Sequence, residues 1–157
     1  MTDGTVSRCT DDSRVVMTEI VMPEDSNIHG TIFGGRVLAL IDKAGAIVAM
    51  RHCHTTIVTA SIDRVDFIAG AREGSILILE AVLNAVFRTS MEVGVTVHAE
   101  DPLTGDRHLT CRALLTTVAV DAGGRPVPVP PLEAYTDDDR RRAREAAERR
   151  RRNHESR

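Results

Sequence analysis

One carboxylate and a pair of glycines carry most of the chemistry legible in this chain. Gly34 and Gly35 open an apolar run that reads as a helix, and Asp42 lies within that run. Glycines at a helix start leave backbone N–H groups without intrahelical partners, and such donors can hold a developing oxyanion. A carboxylate among apolar residues is costly unless it has a task or a partner. Just upstream, Asn27 offers a loop amide that both donates and accepts. Together these residues fit hydrolysis at an activated carbonyl.

The elements that must position them follow from pattern. Residues 14–22 read as a β-branched strand closed by Pro23, residues 24–31 as a loop, and residues 34 to about 51 as a helix of about five turns. At ~100° per residue, Val37, Leu38, Ile41, Ala44, Gly45 and Val48 share one side of that helix. Asp42 falls on the flank of this stripe, beside Leu38 and Ala49. The plainer role for Asp42 is an ion pair with Lys43 or Arg36. Four strand-like runs follow, at 55–67, 75–88, 90–99 and 107–121, with turn residues between them. In the third, Met91, Val93, Val95 and Val97 alternate with Glu92, Thr96 and His98. A strand, one long helix and four strands in hairpin succession make an α+β domain with a mainly antiparallel sheet.

This domain spans residues 14–132. Residues 1–13 are polar and expected to be mobile. Residues 133–157 form a charged, Arg-rich tail in which Thr136 caps a helix beginning Asp137-Asp138-Asp139. That helix has almost no apolar face and reads as solvated.

Composition narrows the function classes. The chain has 157 residues, 42% of them hydrophobic, which suits one domain with a sizeable core. Aromatic residues make up only 3%, so the stacking platform of a single-strand nucleic-acid reader is lacking. A net charge of -3 gives no global basic field for DNA. Cys9, Cys53 and Cys111 are odd in number and lack CxxC spacing, which argues against a disulfide framework and points to a reducing cytoplasm. The polar start does not read as a signal peptide, and no stretch is apolar enough to span a bilayer. His52 and His54 flank Cys53 but have no further ligand at useful spacing, so no metal is assigned.

Several motifs in order resemble one family. Asp25-Ser-Asn-Ile-His-Gly-Thr-Ile-Phe-Gly-Gly followed by Leu40-Ile-Asp-Lys-Ala-Gly is similar to the hotdog-fold acyl-CoA thioesterases, nearest to the YciA-like and animal cytosolic acyl-CoA hydrolase type. Arg51-His-Cys-His-Thr-Thr-Ile-Val-Thr-Ala-Ser-Ile-Asp, Arg88-Thr-Ser-Met-Glu-Val and Gly124-Arg-Pro-Val-Pro-Val-Pro extend the match. The resemblance runs from about residue 15 to about residue 132. It implies an antiparallel sheet wrapped around one long central helix, and homodimers with active sites at the interface, commonly assembled as trimers of dimers.

The resemblance implies acyl-CoA as substrate and no cofactor beyond the CoA of substrate and product. Asp42 matches the family's essential acid, acting as general base on water or as nucleophile; both routes stay open. Asn27 matches a loop amide expected from the opposite subunit. Gly34 and Gly35 would polarise the thioester carbonyl. His29 is a candidate substrate contact in the same loop. Arg88, Thr89 and Ser90 suit phosphate or pantetheine contacts, with Arg64 and Arg72 as further candidates. Val58, Thr59 and Phe67 are expected to line the arm. Some relatives carry His where this chain has Phe33, and no acid–base role is assigned there. The competing readings are a non-catalytic acyl-CoA-binding regulator and another hotdog enzyme, a hydratase or dehydratase.

Overall fold

A computed structural model describes residues 6–156. Its elements in chain order are β1 (Arg8–Cys9), α1 (Thr10–Ser13), β2 (Val15–Ile20), α2 (Gly34–Cys53), β3 (Thr56–Phe67), β4 (Ile76–Val86), β5 (Ser90–Glu100), β6 (Arg107–Val120), β7 (Leu132–Glu133) and α3 (Asp137–Glu155). A short 3-10 turn, Pro23–Asp25, follows β2. The main sheet has five strands in the order β2-β4-β5-β6-β3, all antiparallel. Its inner face wraps α2, so the α+β hotdog architecture implied by the sequence is the one observed.

The core lies between α2 and the inner face. Val37, Leu40, Ile41, Ala44 and Val48 recur at three- and four-residue spacing and are at most 2% exposed. They meet Leu77, Leu79, Met91, Val93, Val95, Val97 and Leu115, the inward residues of β4, β5 and β6. The valine, leucine, isoleucine and methionine side chains among them each contribute about 1.5–3 kcal/mol on burial. Gly45 lets helix and sheet approach closely, since a Cβ there would lie 3.1 Å from Leu115 Cδ2. Bulges at Ala60 and Asp63 interrupt the register of β3, which forms one edge of the sheet.

Two expectations need correction. Residues 1–5 of the segment expected to be mobile lie outside the described residues. Beyond them the chain has regular structure: β1 pairs in parallel with β7, and α1 buries Thr10 and Ser13 against α2. Arg8 anchors this corner by donating to the carbonyls of Arg51 and His52. A short polar segment orders here because its donors close the end of α2 and the edge of a second small sheet.

The second correction concerns α3, which is docked. Thr136 caps it as expected, its hydroxyl accepting from Asp139 N at 3.0 Å while the Asp139 carboxylate accepts from Thr136 N at 3.2 Å. The helix then lies on the outer face of the main sheet, over β4, with Ala146 fully buried. Arg149 grips Glu92 of β5 through two hydrogen bonds, Nη2 to Oε1 at 2.6 Å and Nε to Oε2 at 3.1 Å, and Asn84 Nδ2 adds a third at 2.9 Å. Arginine stems cover apolar surface while their heads find polar partners, so this face buries without looking apolar in sequence.

Candidate active site

Asp42 sits halfway along α2 and faces the edge strand β3. Thr59 Oγ1 donates to Asp42 Oδ1 at 2.7 Å. The carboxylate is partly exposed and makes no ion pair among the described residues. Arg36 is instead shared between Asp25 at 3.1 Å and Glu19 at 3.7 Å, and Lys43 points to solvent. The ion-pair alternative for Asp42 therefore fails. One neutral hydroxyl orients the carboxylate and leaves its second oxygen open to solvent or substrate.

At the start of α2, Phe33 occupies the cap position without a side-chain cap. Among the described residues, nothing accepts a hydrogen bond from the N–H of Gly34 or Gly35. Those donors face the positive end of a twenty-residue helix. Phe67 lies against Gly34, where an added Cβ would come within 3.4 Å of Cζ. A cleft of about 380 Å³ opens here, lined by Ile32, Gly34, Val37, Phe67 and Thr110.

Asn27 organises the loop that leads into this helix. Its Oδ1 accepts from the backbone N–H of His29 at 2.9 Å and of Thr31 at 3.3 Å, while Nδ2 donates to Thr31 Oγ1 at 3.1 Å. Within one chain it is thus an Asx-type brace. His29 stands exposed on the same loop, and neighbouring Ile28 is 96% exposed.

The other expected residues divide between the two faces of the sheet. Thr59 points inward to Asp42, so it holds the acid and does not simply line an arm. Val58 alternates with it and faces outward, 47% exposed, where it cannot share that surface. Arg64 also faces outward, paired with Asp66 at 2.9 Å, away from Asp42. Arg72 bridges to Thr31 near the loop and is exposed. Arg88, Thr89 and Ser90 form the β4–β5 turn, with the carbonyls of Arg88 and Thr89 accepting from Val129 and Ala119. Ser90 is buried and its hydroxyl accepts from Arg150 at 3.1 Å.

No cysteine is primed for nucleophilic work in this region. Burial pushes the Cys111 thiol up to about 11, with Asp66 adding to the effect, and burial also raises Cys53. His52 and His54 do not converge either. The helix runs through Cys53, so residues two apart diverge around it. His52 is buried with Nε2 on the Pro130 carbonyl at 2.7 Å, while His54 is exposed in the left-handed cap. Among the described residues, no three His, Cys, Asp or Glu side chains group as a metal site.

A long helix wrapped by an antiparallel sheet is the hotdog class of fold, here with a carboxylate that makes no ion pair among the described residues at mid-helix. The thioesterase superfamily matches residues 29–105, which carry Asp42, α2 and β3 through β5. An uncharacterized acyl-CoA thioester hydrolase of Bacillus subtilis, YkhA, is 42% identical over 132 residues, covering 84% of this chain and 77% of that protein. The cytosolic acyl coenzyme A thioester hydrolase of Rattus norvegicus is 36% identical over 129 residues, covering 80% of this chain and 34% of that longer protein. A solved apo-hexameric acyl-CoA thioesterase superposes with a TM-score of 0.92 at 45% identity, over 96% of both chains. An acyl-CoA hydrolase of Staphylococcus aureus, solved with butyryl-CoA, CoA and CoA disulfide, superposes at 0.89 with 33% identity, over 96% of this chain and 92% of that one. That hydrolase has also been solved with one aspartate, one asparagine or one threonine changed to alanine. The chain belongs to the thioesterase superfamily.

Proposed function

We propose that this protein hydrolyses acyl-CoA thioesters to a carboxylic acid and free CoA, with Asp42 as the working acid. The observation that carries the reading is the Asp42–Thr59 pair: a carboxylate held by a neutral hydroxyl and free of any cation among the described residues. Such a group leaves an oxygen available for water activation or for direct attack. A hydratase reading is weaker, because no histidine reaches Asp42 among its hydrogen-bond partners. A non-catalytic binder would have no use for an acid kept free in this way. The hydrolases and thioesterases to which the chain is similar support the same substrate class.

Helix geometry supports a site shared between two chains. Gly34 and Asp42 are eight residues apart, about 12 Å along one helix at 1.5 Å per residue. A donor to the carbonyl oxygen and a base for its carbon must both lie within a few ångströms of one group. That separation favours donor and base from different chains. The site therefore combines Asp42 and Thr59 of one protomer with Gly34, Gly35 and Asn27 of its partner. Exposed Ile28, Phe33 and Phe67 around the loop and helix start give that partner an apolar surface to cover. Edge strand β3 supplies free backbone groups for a sheet continued across the dimer. A trimer of dimers is the further assembly, in line with the hexameric relative. The three free cysteines and the cytosolic relative support a cytoplasmic setting. No metal or redox cofactor enters the reaction.

The test is release of free thiol from a panel of acyl-CoAs. Wild type should turn over at least one chain length, and Asp42→Ala should lose about 10²–10⁴-fold in rate. Equal release by both proteins would remove Asp42 from the chemistry. Tight CoA binding without turnover of any thioester would leave a binder.

A further inference from the structure

The two long helices of this chain begin in opposite ways. Thr136 and Asp139 close the first turn of α3 with reciprocal hydrogen bonds. At α2 the corresponding residue is Phe33, whose extended backbone (φ -61°, ψ 135°) suits a cap and whose side chain cannot act as one. Serine, threonine, aspartate or asparagine in that place would turn an oxygen onto the first N–H groups of the helix.

The loop before α2 withholds its oxygens as well. Asp25 takes Arg36 at 3.1 Å and the Met22 N–H at 3.4 Å. Ser26 donates to the Met22 carbonyl at 3.1 Å. Asn27 accepts from the His29 and Thr31 N–H groups, and the Thr31 hydroxyl accepts from the Asn27 amide. Side chains able to cap α2 are thus held on other partners, and among the described residues none reaches Gly34 or Gly35. The exposed rings of Phe33 and Phe67 flank this helix end. Apolar flanks screen little, so the bare donors keep their pull on an incoming oxygen. The cleft beside them has a further unanswered group in its wall, Thr110, whose buried hydroxyl finds no partner among the described residues. An uncapped helix start lowers stability. A vacancy kept by both the cap residue and the loop points to a ligand oxygen as the missing acceptor.

We infer that Phe33 keeps the Gly34 and Gly35 N–H groups vacant for the thioester oxygen by denying α2 a cap of its own. Phe33 is a positioning residue: it offers no group to the reacting atoms and acts through the two N–H groups. An oxygen-bearing side chain at position 33 becomes an internal competitor for the developing oxyanion. This inference rests on the acyl-CoA hydrolase reading above and adds to it the device that holds the donors open.

The experiment varies residue 33 and reads kcat, KM and Tm at one protomer concentration, with assembly verified by sedimentation. Phe33→Ser and Phe33→Ala both remove the ring and differ by a single oxygen. The serine variant should show kcat at least about tenfold below the alanine variant, with KM within about threefold. Its Tm should nevertheless lie about 2–4 °C higher. Phe33→Asp should lose about 10²–10³-fold in kcat against Phe33→Ala, because its carboxylate caps the helix and also repels the oxyanion. Phe33→Leu, apolar and without an acceptor, should keep kcat within about threefold of wild type. Should Phe33→Asp fail to fold or assemble, the serine–alanine comparison decides alone. Equal kcat in the serine and alanine variants, or kcat and Tm falling together in the serine variant, would overturn the role of Phe33 while leaving the hydrolase intact. Equal losses in Phe33→Leu and Phe33→Asp would do the same. Failure of wild type on every thioester would overturn the hydrolase reading and this inference with it.

Discussion

Two acids on opposite faces of the sheet are treated in opposite ways. Glu92 on the outer face is 9% exposed in its side chain and is answered by the full charge of Arg149 and by the Asn84 amide. Among the described residues, Asp42 on the inner side receives one hydroxyl, from Thr59, and no cation. A charge-matched acid clamps one element to another. An acid matched only by one neutral donor leaves its other oxygen open to a further partner. On the function proposed above, the difference separates the part of the molecule that holds α3 in place from the part that does chemistry.

Exchanging each acid for its amide should split the two roles. Asp42→Asn should lower kcat by about 10²–10⁴-fold in the thiol-release assay, with little change in melting temperature. Glu92→Gln should do the reverse. It leaves Arg149 facing a neutral amide in a largely buried setting, which should cost about 1–3 kcal/mol of stability, with solvent access at Arg149 reducing the penalty. Turnover of a short thioester by the folded enzyme should persist. Large kinetic loss with both substitutions, or a large stability loss with Asp42→Asn, would merge the two classes of acid.

Thr59→Val sharpens the comparison from the side of the donor. It keeps shape and removes the one hydrogen bond to Asp42. Hydrogen bonds to charged groups contribute about 1.5–3 kcal/mol, so kcat should fall by about 10- to 150-fold while KM moves little. A selective rise in KM would instead return Thr59 to the lining role expected from sequence.

These assignments also mark what sequence alone can reach. The glycines at 34 and 35, the stripe from Val37 to Val48 and the alternation in β5 are local patterns, and they gave helix and sheet nearly to the residue. Asp42 stood out because it broke an apolar pattern. The division of Val58 from Thr59 is also periodic, yet which of them faces inward depends on the pairing of β3 with β6. Docking of α3 was hidden for a different reason. Its buried surface is made of alanines and arginine stems, and its anchor, Glu92, lies 57 residues away in sequence. The pairing of β1 with β7 likewise joins distant polar segments whose contacts leave no local trace.

A smaller effect is expected at the end of α2, distant in role from both acids. His52 is fully buried, its Nε2 meets the Pro130 carbonyl, and Nδ1 has no partner among the described residues. Burial first, then the nearby Arg8 and His54, hold its pKa below the usual histidine value, with the Pro130 carbonyl and Asp12 opposing. The unfolded chain gains a proton as pH falls through about 6.5, while folded His52 resists it. Its contribution is therefore complete above about pH 6.5 and is lost on acidification, with a slope of up to about 1.4 kcal/mol per pH unit over the gap between the two values. Melting temperatures between pH 7 and 5 should fall more steeply for wild type than for His52→Gln, which keeps a donor for Pro130. Parallel slopes would assign the acid sensitivity to other groups.

Assembly of each catalytic centre from two protomers is most directly tested by mixing Asp42→Ala and Asn27→Ala subunits, each nearly inactive alone. Random pairing makes half the dimers mixed, and each mixed dimer regains one intact centre of two, so about a quarter of wild-type thiol release should return. Verified mixed dimers that remain as inactive as their parents would contradict the shared site.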